Sequence, residues 1–588
     1  MHRRHLLIGG ASLFALTGCA TARAMDGGAA SAAGLEEDLR IARAVLPTTQ
    51  PRAELLQPWT GPYEGVPPWN QVTAAKLREA ILEGIELQRA EIQAIANNPE
   101  PPTFANTMVA MQLAGQPLDR ATSIFGVMTQ NIGSDDYNAV DTEVSPLLSA
   151  AGDEITFNER LFQRIRAVAD NAAANGLSPE QTRLAERSRD AFIRNGAALD
   201  AAGKAELGRI NTALANAFTS FSQKVVADEN TWTHIPDEAG VAGLPDSNKA
   251  AAAAAARARN LSGWAVVNTR SSVDPFLSFA DDRALREQVW RKFVNRGDNG
   301  DGNDTNALIA EIVRLRAERA RLLGYANHAE WRMQDTMAKT PEAAMNLMMR
   351  VWEPAKARVA EEVADMRAIA GHDIEPWDYL YYAEKVRKAK YDLDQNELKP
   401  YFELNAVKRG AFYMAERLYG FTFTPVPAGS VPGFHPDVEV FEVKNKADGS
   451  HVGLFYSDDF ARPGKRSGAW MTSYRIGWGY DGGGNSLVSN NNNFIKAEGD
   501  EPILISLDDA ETLFHEFGHA LHYLSYKVTY PGLGGTPRDY VEYPSQVHEH
   551  WVLSRPILDG FMRHYQTGEP MPQALVDKVE AASTFNQG

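Results

Sequence analysis

The chain has 588 residues, 44% of them hydrophobic and 23% charged, with a net charge of −17 from 59 basic against 76 acidic side chains. That length exceeds one small core, so two large lobes or more are expected. The acidic balance argues against a nucleic-acid binder, and the composition is that of a folded globular protein.

The first nineteen residues read as a targeting signal. Met1-His2-Arg3-Arg4 is a basic leader, and Leu6 to Leu16 is an apolar core too short to span a bilayer as a mature helix. It ends in Leu16-Thr17-Gly18-Cys19, which resembles a bacterial lipobox whose cysteine carries the lipid. Cys19 is the only cysteine, which excludes intrachain disulfides and a thiolate zinc site. Arg3-Arg4 leaves both general secretory and twin-arginine export open. Ala20 after the cysteine favours the outer membrane, by similarity to such lipoproteins. The expected location is the periplasm or outer membrane, with a lipid on Cys19 as the only membrane contact.

Residues 20–50 are rich in Ala, Gly and Ser and read as a tether, within which Leu35 to Leu46 can form a short helix. Prolines 47, 51, 58, 62, 67 and 68 then mark an extended lead into the body. An N-terminal helical region is expected over 51–250, where Leu77, Ile81, Ile85, Ile92 and Ile95 trace one apolar face ended by Asn97-Asn98-Pro99. Residues 251–588 form the expected catalytic region. There Leu308, Ile312, Leu315 and Leu322 trace another helix, closed by Gly324. The alanine run 250–256 flanks a helix. Strand signals cluster in the last third. Val438 to Val443 alternates, Asp448-Gly449 turns, and Val452 to Tyr456 returns; Leu487 to Phe494 and Ile503 to Ile505 are further candidates. Ser489 to Asn493 is read either as a sheet edge that a peptide could extend, or as a polar surface loop. Glycines 482–484 and 532–535 are read as mobile loops over a site or as turns.

Leu513 to His522 contains His515-Glu516-Phe517-Gly518-His519. Histidines four apart on a helix stack on one face, with Cβ atoms roughly 5–6 Å apart, and can share one zinc ion. Glu516 lies beside them, able to reach a water on the metal without binding the metal. Ser506 with Asp509 makes a capping pair, and acidic residues suit that helix end. Glu542 is a downstream carboxylate that can close the tetrahedron from a second helix. His522 lies two turns from His515, about 10 Å along the axis, too far to share the ion. Asp508, Asp509, Gln546 and Glu549 are candidates to orient the ligands, or caps and surface groups.

These segments, with Val541-Glu542-Tyr543-Pro544-Ser545-Gln546 and Glu549-His550-Trp551, resemble the thimet oligopeptidase family of zinc peptidases, most of all its bacterial peptidyl-dipeptidase branch. Asn98 to Phe104, Ala338 to Glu342, His435 to Val438 and Ala461 to Arg466 agree, so the likeness runs from about residue 55 onward. The resemblance implies a mainly α, two-lobed zincin-like body with a small β-sheet beside the H-E-x-x-H helix and a deep central channel. It implies one Zn2+ per chain held by His515, His519 and Glu542, with Glu516 as catalytic base, acting on short peptides as a monomer. Release of C-terminal dipeptides, internal cleavage, and peptide binding without turnover are the three functions considered. Family members continue past the position of Gly588 into a Gly- and Tyr-rich substrate-gripping segment. A fragment is therefore expected, able to bind zinc but short of full activity.

Overall fold

The computed structural model describes residues 32–588 apart from 428, 481–483, 497, 498 and 500. The signal peptide, Cys19, the start of the tether and glycines 482 and 483 thus lie outside the described residues. Apolar residues at helical spacing set an architecture that is mainly helical. In α1 (Ala74–Ala96) the Thr73 hydroxyl accepts the Lys76 N–H, and Leu77, Ile81, Ile85, Ile92 and Ile95 are buried. Two long helices follow, α2 (Asp135–Thr156) and α3 (Ala201–Glu229). α3 buries Ile210, Leu214 and Ala217 against Ile312 and Leu315 of α4 (Asn306–Leu322). α5 (Pro341–Ala370) is held at its second half by Met366 against Ala383 and Val386; its first half shows Met345, Leu347, Met348, Val351 and Trp352 to solvent.

Two sheets occur among the described residues. β1 (Trp232–Ile235) pairs antiparallel with β2 (Trp264–Val267). The larger sheet holds β3 (Phe421–Pro425), β4 (Glu439–Asn445), β5 (His451–Phe460), β6 (Trp470–Arg475) and β7 (Ser486–Phe494), in the order β3-β4-β5-β7-β6. Only β5 and β7 run parallel. β5 is buried on both faces because alternate residues serve different cores. Leu454 and Tyr456 pack with Leu77, Ile81 and Phe125 of the N-terminal helices. Phe455 points the other way, into a cluster with α6 (Leu404–Tyr419) and α7 (Leu507–Leu524). There Phe517 of α7 lies 5.2–5.6 Å, centroid to centroid, from Phe412, Phe423 and Phe455. Each such ring contributes roughly 1.5–3 kcal/mol by burial, so the active helix is bolted to the sheet by its apolar side.

Four expectations are corrected. The short helix expected within the tether is present, over Ala32–Val45, but it is no free linker: Leu39 and Ala42, on one face, dock it against Ile92, Ile95 and Leu161. Strands are not confined to the last third, since β1 and β2 precede it. Ile503 to Ile505 is not a strand of the sheet; Leu504 makes one isolated bridge with Glu403. Ser489 to Asn493 is neither edge nor surface loop. It lies in β7 between β5 and β6, and residues 489–492 are buried. The free edge beside α7 is β6.

Candidate metal centre

α7 starts where the sequence places it. The Ser506 hydroxyl accepts the Asp509 N–H at 3.0 Å, and the Asp509 carboxylate accepts the Ser506 N–H at 3.1 Å. Ala510, Leu513, Phe514, Phe517, Ala520, Leu521 and Leu524 bury one face. His515 and His519 therefore share the other, with Thr512 and Asp508 along the same stripe. β7 fixes the height of the helix: the Asn490 amide donates to the Glu516 carbonyl at 2.6 Å, and the Ser486 hydroxyl to that of Tyr523 at 2.9 Å.

Glu542 opens α8 (Glu542–Glu549). Its Oε2 lies 3.2 Å from His515 Nε2 and 3.1 Å from His519 Nε2, and the two ring centroids are 5.0 Å apart. A tetrahedral zinc with 2.0–2.1 Å bonds needs ligand atoms about 3.3 Å apart. Glu542 Oε2 stands at about that spacing from both rings, and all three donor atoms lie within 4.8 Å of one another. Among the described residues, His515, His519 and Glu542 are the group whose donor atoms converge enough to hold a metal. The Glu516 carboxylate, beside them, is buried and its Oε2 has no hydrogen-bond partner. Burial pushes its pKa up to about 7; the His515 ring opposes the rise and Glu542 adds to it.

Supporting groups settle which atoms face the centre. Glu549 Oε1 lies 2.6 Å from His515 Nδ1, which leaves Nε2 for a metal. The Ser545 hydroxyl donates to Glu542 Oε2 at 3.0 Å. Burial would raise the Glu542 pKa, but the Ser545 hydroxyl and the two imidazoles outweigh it and bring it below the usual range. Burial lowers the His519 pKa, favouring the neutral ring that a metal needs.

Close approach of α8 to α7 rests on Gly518. A Cβ there would meet Ser545 Cα at 2.8 Å and His548 Nδ1 at 2.9 Å. His548, itself buried, is anchored at 2.8 Å from the Tyr419 hydroxyl. Gly518→Ala improves intrinsic helix propensity by about 1 kcal/mol, yet overpacking of about 1–3 kcal/mol opposes it. The expected outcome is a displaced α8 and weaker zinc binding, checked by titrating the metal against a chromophoric chelator.

Of the other candidates, Glu549 does orient His515. Asp509 is the cap, Asp508 pairs with Arg270 at 3.1 Å, and Gln546 is exposed. His522 packs 5.3 Å from the Tyr526 ring and takes no part. Glycines 532–535 do not form a free lid. The Gly532 N–H donates to Gln112 at 2.7 Å, and neighbouring Tyr530 is fully buried. Sequence reasoning passed over Asn490, Ser545, Gly518 and His548; for Gly518 the signal was a glycine inside a helix.

A helical body whose H-E-x-x-H helix meets a carboxylate from the next helix defines a metallopeptidase of the zincin type. Residues 276–588 match the description "Peptidase family M3". The chain is 39% identical over 532 residues to a dipeptidyl carboxypeptidase from Escherichia coli (strain K12), covering 89% of this chain and 78% of that one. It is 37% identical to the dipeptidyl carboxypeptidase of Salmonella typhimurium, over 90% and 78% of the two chains. It is 29% identical to oligopeptidase A from Escherichia coli (strain K12), over 90% and 80%. The chain belongs to peptidase family M3.

Proposed function

We propose that this chain is a zinc-dependent peptidyl-dipeptidase, with His515, His519 and Glu542 as the metal ligands and Glu516 as general base. The observation that carries the reading is the convergence of two Nε2 atoms and one carboxylate oxygen beside a buried, unpartnered carboxylate. When bound, zinc supplies Lewis acidity at the scissile carbonyl and lowers the pKa of its water towards about 7. Glu516, with Oε2 uncommitted, takes a proton from the attacking water and delivers it to the departing amine. Glu549 and Ser545 hold the ligands so that the geometry precedes the substrate.

The peptide lies along β6. That strand has one side paired to β7 and the other without a strand among the described residues, next to α7. An extended peptide added there is held by main-chain hydrogen bonds whatever its side chains. A cavity of about 490 Å3 lies at the N-terminal turns of α7, lined by Asp508 and Thr512 together with Ser467 to Ala469; none of His515, Glu516, His519 or Glu542 lines it. It has room for a short peptide segment.

Similarity to dipeptidyl carboxypeptidases favours serial removal of C-terminal dipeptides; the weaker similarity to oligopeptidase A favours internal cuts as the second reading. Mass spectrometry of digests of the zinc-loaded chain separates them. A ladder losing two residues per step supports the first, and longer internal products the second. Zinc and peptide binding without products would leave the protein a tethered peptide binder.

The location belongs to the same proposal: export, then attachment through a lipid on Cys19, with short peptides as substrates and a monomer as the working form. Among the described residues no helix is long and apolar enough to cross a membrane. In a bacterial host, Cys19→Ser is expected to move the protein from the membrane to the soluble fraction. An unchanged distribution would refute the anchor.

A further inference from the structure

We propose that a buried ionic clamp, Asp458 with Arg462 and Lys465, acts with Asn493 to fix the free edge of β6, so that Lys465 and Asn493 are positioning residues for the peptide. This rests on the reading of β6 as the strand that the peptide extends.

Asp458 sits on β5, and its side chain and that of Lys465 are fully buried, 3.1 Å apart. Arg462 grips both Asp458 oxygens at 2.7 Å, and its Nε donates to the Asn131 carbonyl at 2.8 Å. The Asn131 amide in turn donates to Asp458 Oδ2 at 2.8 Å. The Lys465 ammonium donates to the carbonyls of Asp458 at 3.0 Å and Phe460 at 2.9 Å, and to that of Asn492. It thereby ties the segment before β6 to the ends of both β5 and β7. The next residues are pinned from three sides. The Arg466 N–H donates to the Gln130 carbonyl at 2.9 Å, and the Ser467 hydroxyl to Glu229 at 2.5 Å. The Asn493 amide donates to the carbonyls of Arg466 at 2.8 Å and Gly468 at 2.7 Å.

Stability alone does not call for this arrangement. Burying three charges carries a desolvation penalty, and a well-packed apolar replacement is often as stable or more so. What such a cluster provides is direction, since every donor has one acceptor that suits it. The direction matters because the segment leads straight into Trp470, and because Ser467, Gly468 and Ala469 line the same cavity as Thr512, one turn before His515. The clamp therefore sets the distance between the strand that receives the peptide and the helix that carries the histidines. It touches neither metal ligand nor Glu516.

The test uses the zinc-loaded full chain and two probes: acetohydroxamate, which engages only the metal, and the same hydroxamate on a tripeptide. In the wild type the peptide part should tighten binding by at least tenfold. In Lys465→Met and in Asn493→Ala, zinc content and acetohydroxamate affinity should stay unchanged while that gain falls about tenfold for Lys465→Met and severalfold for Asn493→Ala. A gain fully retained in both variants overturns the clamp. So does loss of zinc or acetohydroxamate binding in step with the peptide, which would mark a merely structural role. If Lys465→Met does not fold, Asn493→Ala decides alone, since its side chain is outside the buried ion cluster. If the wild type itself draws no affinity from the tripeptide, the β6 reading fails and takes the clamp with it, a result distinct from failure in the variants alone.

Discussion

Glu542→Ala is expected to leave the chain unable to retain zinc through gel filtration, while the protein stays folded. In the proposed centre the carboxylate would supply one of three ligand atoms and the only negative charge among them. Removing a group that merely orients a ligand typically costs 10–100-fold in metal affinity, so removing the ligand itself should cost on the order of 10³-fold or more. Folding should survive because the Glu542 side chain is 50% exposed and α8 keeps its other anchors, buried Ser545 and His548. Two controls sharpen the result. Glu549→Gln should weaken zinc less, by the 10–100-fold of an orienting partner. His522→Ala should leave zinc affinity unchanged, because that ring packs against Tyr523 and Tyr526 and is not one of the converging donors. Metal content measured by atomic emission after dialysis checks all three. Unchanged zinc in Glu542→Ala would require another third ligand.

The parts of this site that sequence reveals are those set by local spacing. The H-E-x-x-H interval, the Ser506–Asp509 cap and the helical stripes of α1 and α4 each obey a period that a short window contains. The β4–β5 hairpin was legible for the same reason, through its alternation and the Asp448-Gly449 turn, where Gly449 has φ +71°. Glu542 is different. Spacing leaves any downstream acid eligible, and the family resemblance made the choice. The reading of Ser489 to Asn493 as an edge or surface loop failed because polarity was taken for exposure. Asn490, Asn491 and Asn492 look like a surface run, yet all three are buried. They are tolerated there because their amides are used: Asn490 donates to the Glu516 carbonyl, Asn491 to that of Trp470, and Asn492 to the Asp459 carboxylate. β6 escaped notice because its residues show no alternation, with only Tyr474 buried among them. Its identity as the edge is a property of strand order, which no local pattern encodes. The short helix near residues 32–45 was legible, but its docking onto the N-terminal helices was not, because an alanine-rich composition suits both a tether and a packed helix.

Glu516→Gln is expected to keep zinc and to lower peptide hydrolysis by about 10²–10⁴-fold, the usual contribution of a positioned general base. The amide keeps the size of the side chain but cannot take the proton, and none of the three donor atoms is disturbed. Hydrolysis at the wild-type rate would remove Glu516 from the mechanism. A second measurement separates this role from simple damage to the fold. Without metal, the buried carboxyl titrates at about 7, above the 4.5 of an ordinary glutamate, chiefly because burial penalises the charged form. The folded state therefore binds more protons than the unfolded state between those values, and stability falls as pH rises through the window. A shift of that size corresponds to roughly 3 kcal/mol at most, fully felt above pH 7 and absent well below pH 4.5. Metal-free Glu516→Gln lacks the titration, so its melting temperature should exceed that of the metal-free wild type at pH 8 and approach it at pH 5. A bound dication favours the carboxylate and reverses the penalty. Zinc should thus stabilise the wild type more than the variant at neutral pH, and the acid limb of wild-type kcat/KM should fall below pH 7. A variant that is inactive, zinc-replete and more stable than its parent when stripped of metal at pH 8 would place Glu516 where a base must be: held without partners, at an energetic cost, beside the reacting water.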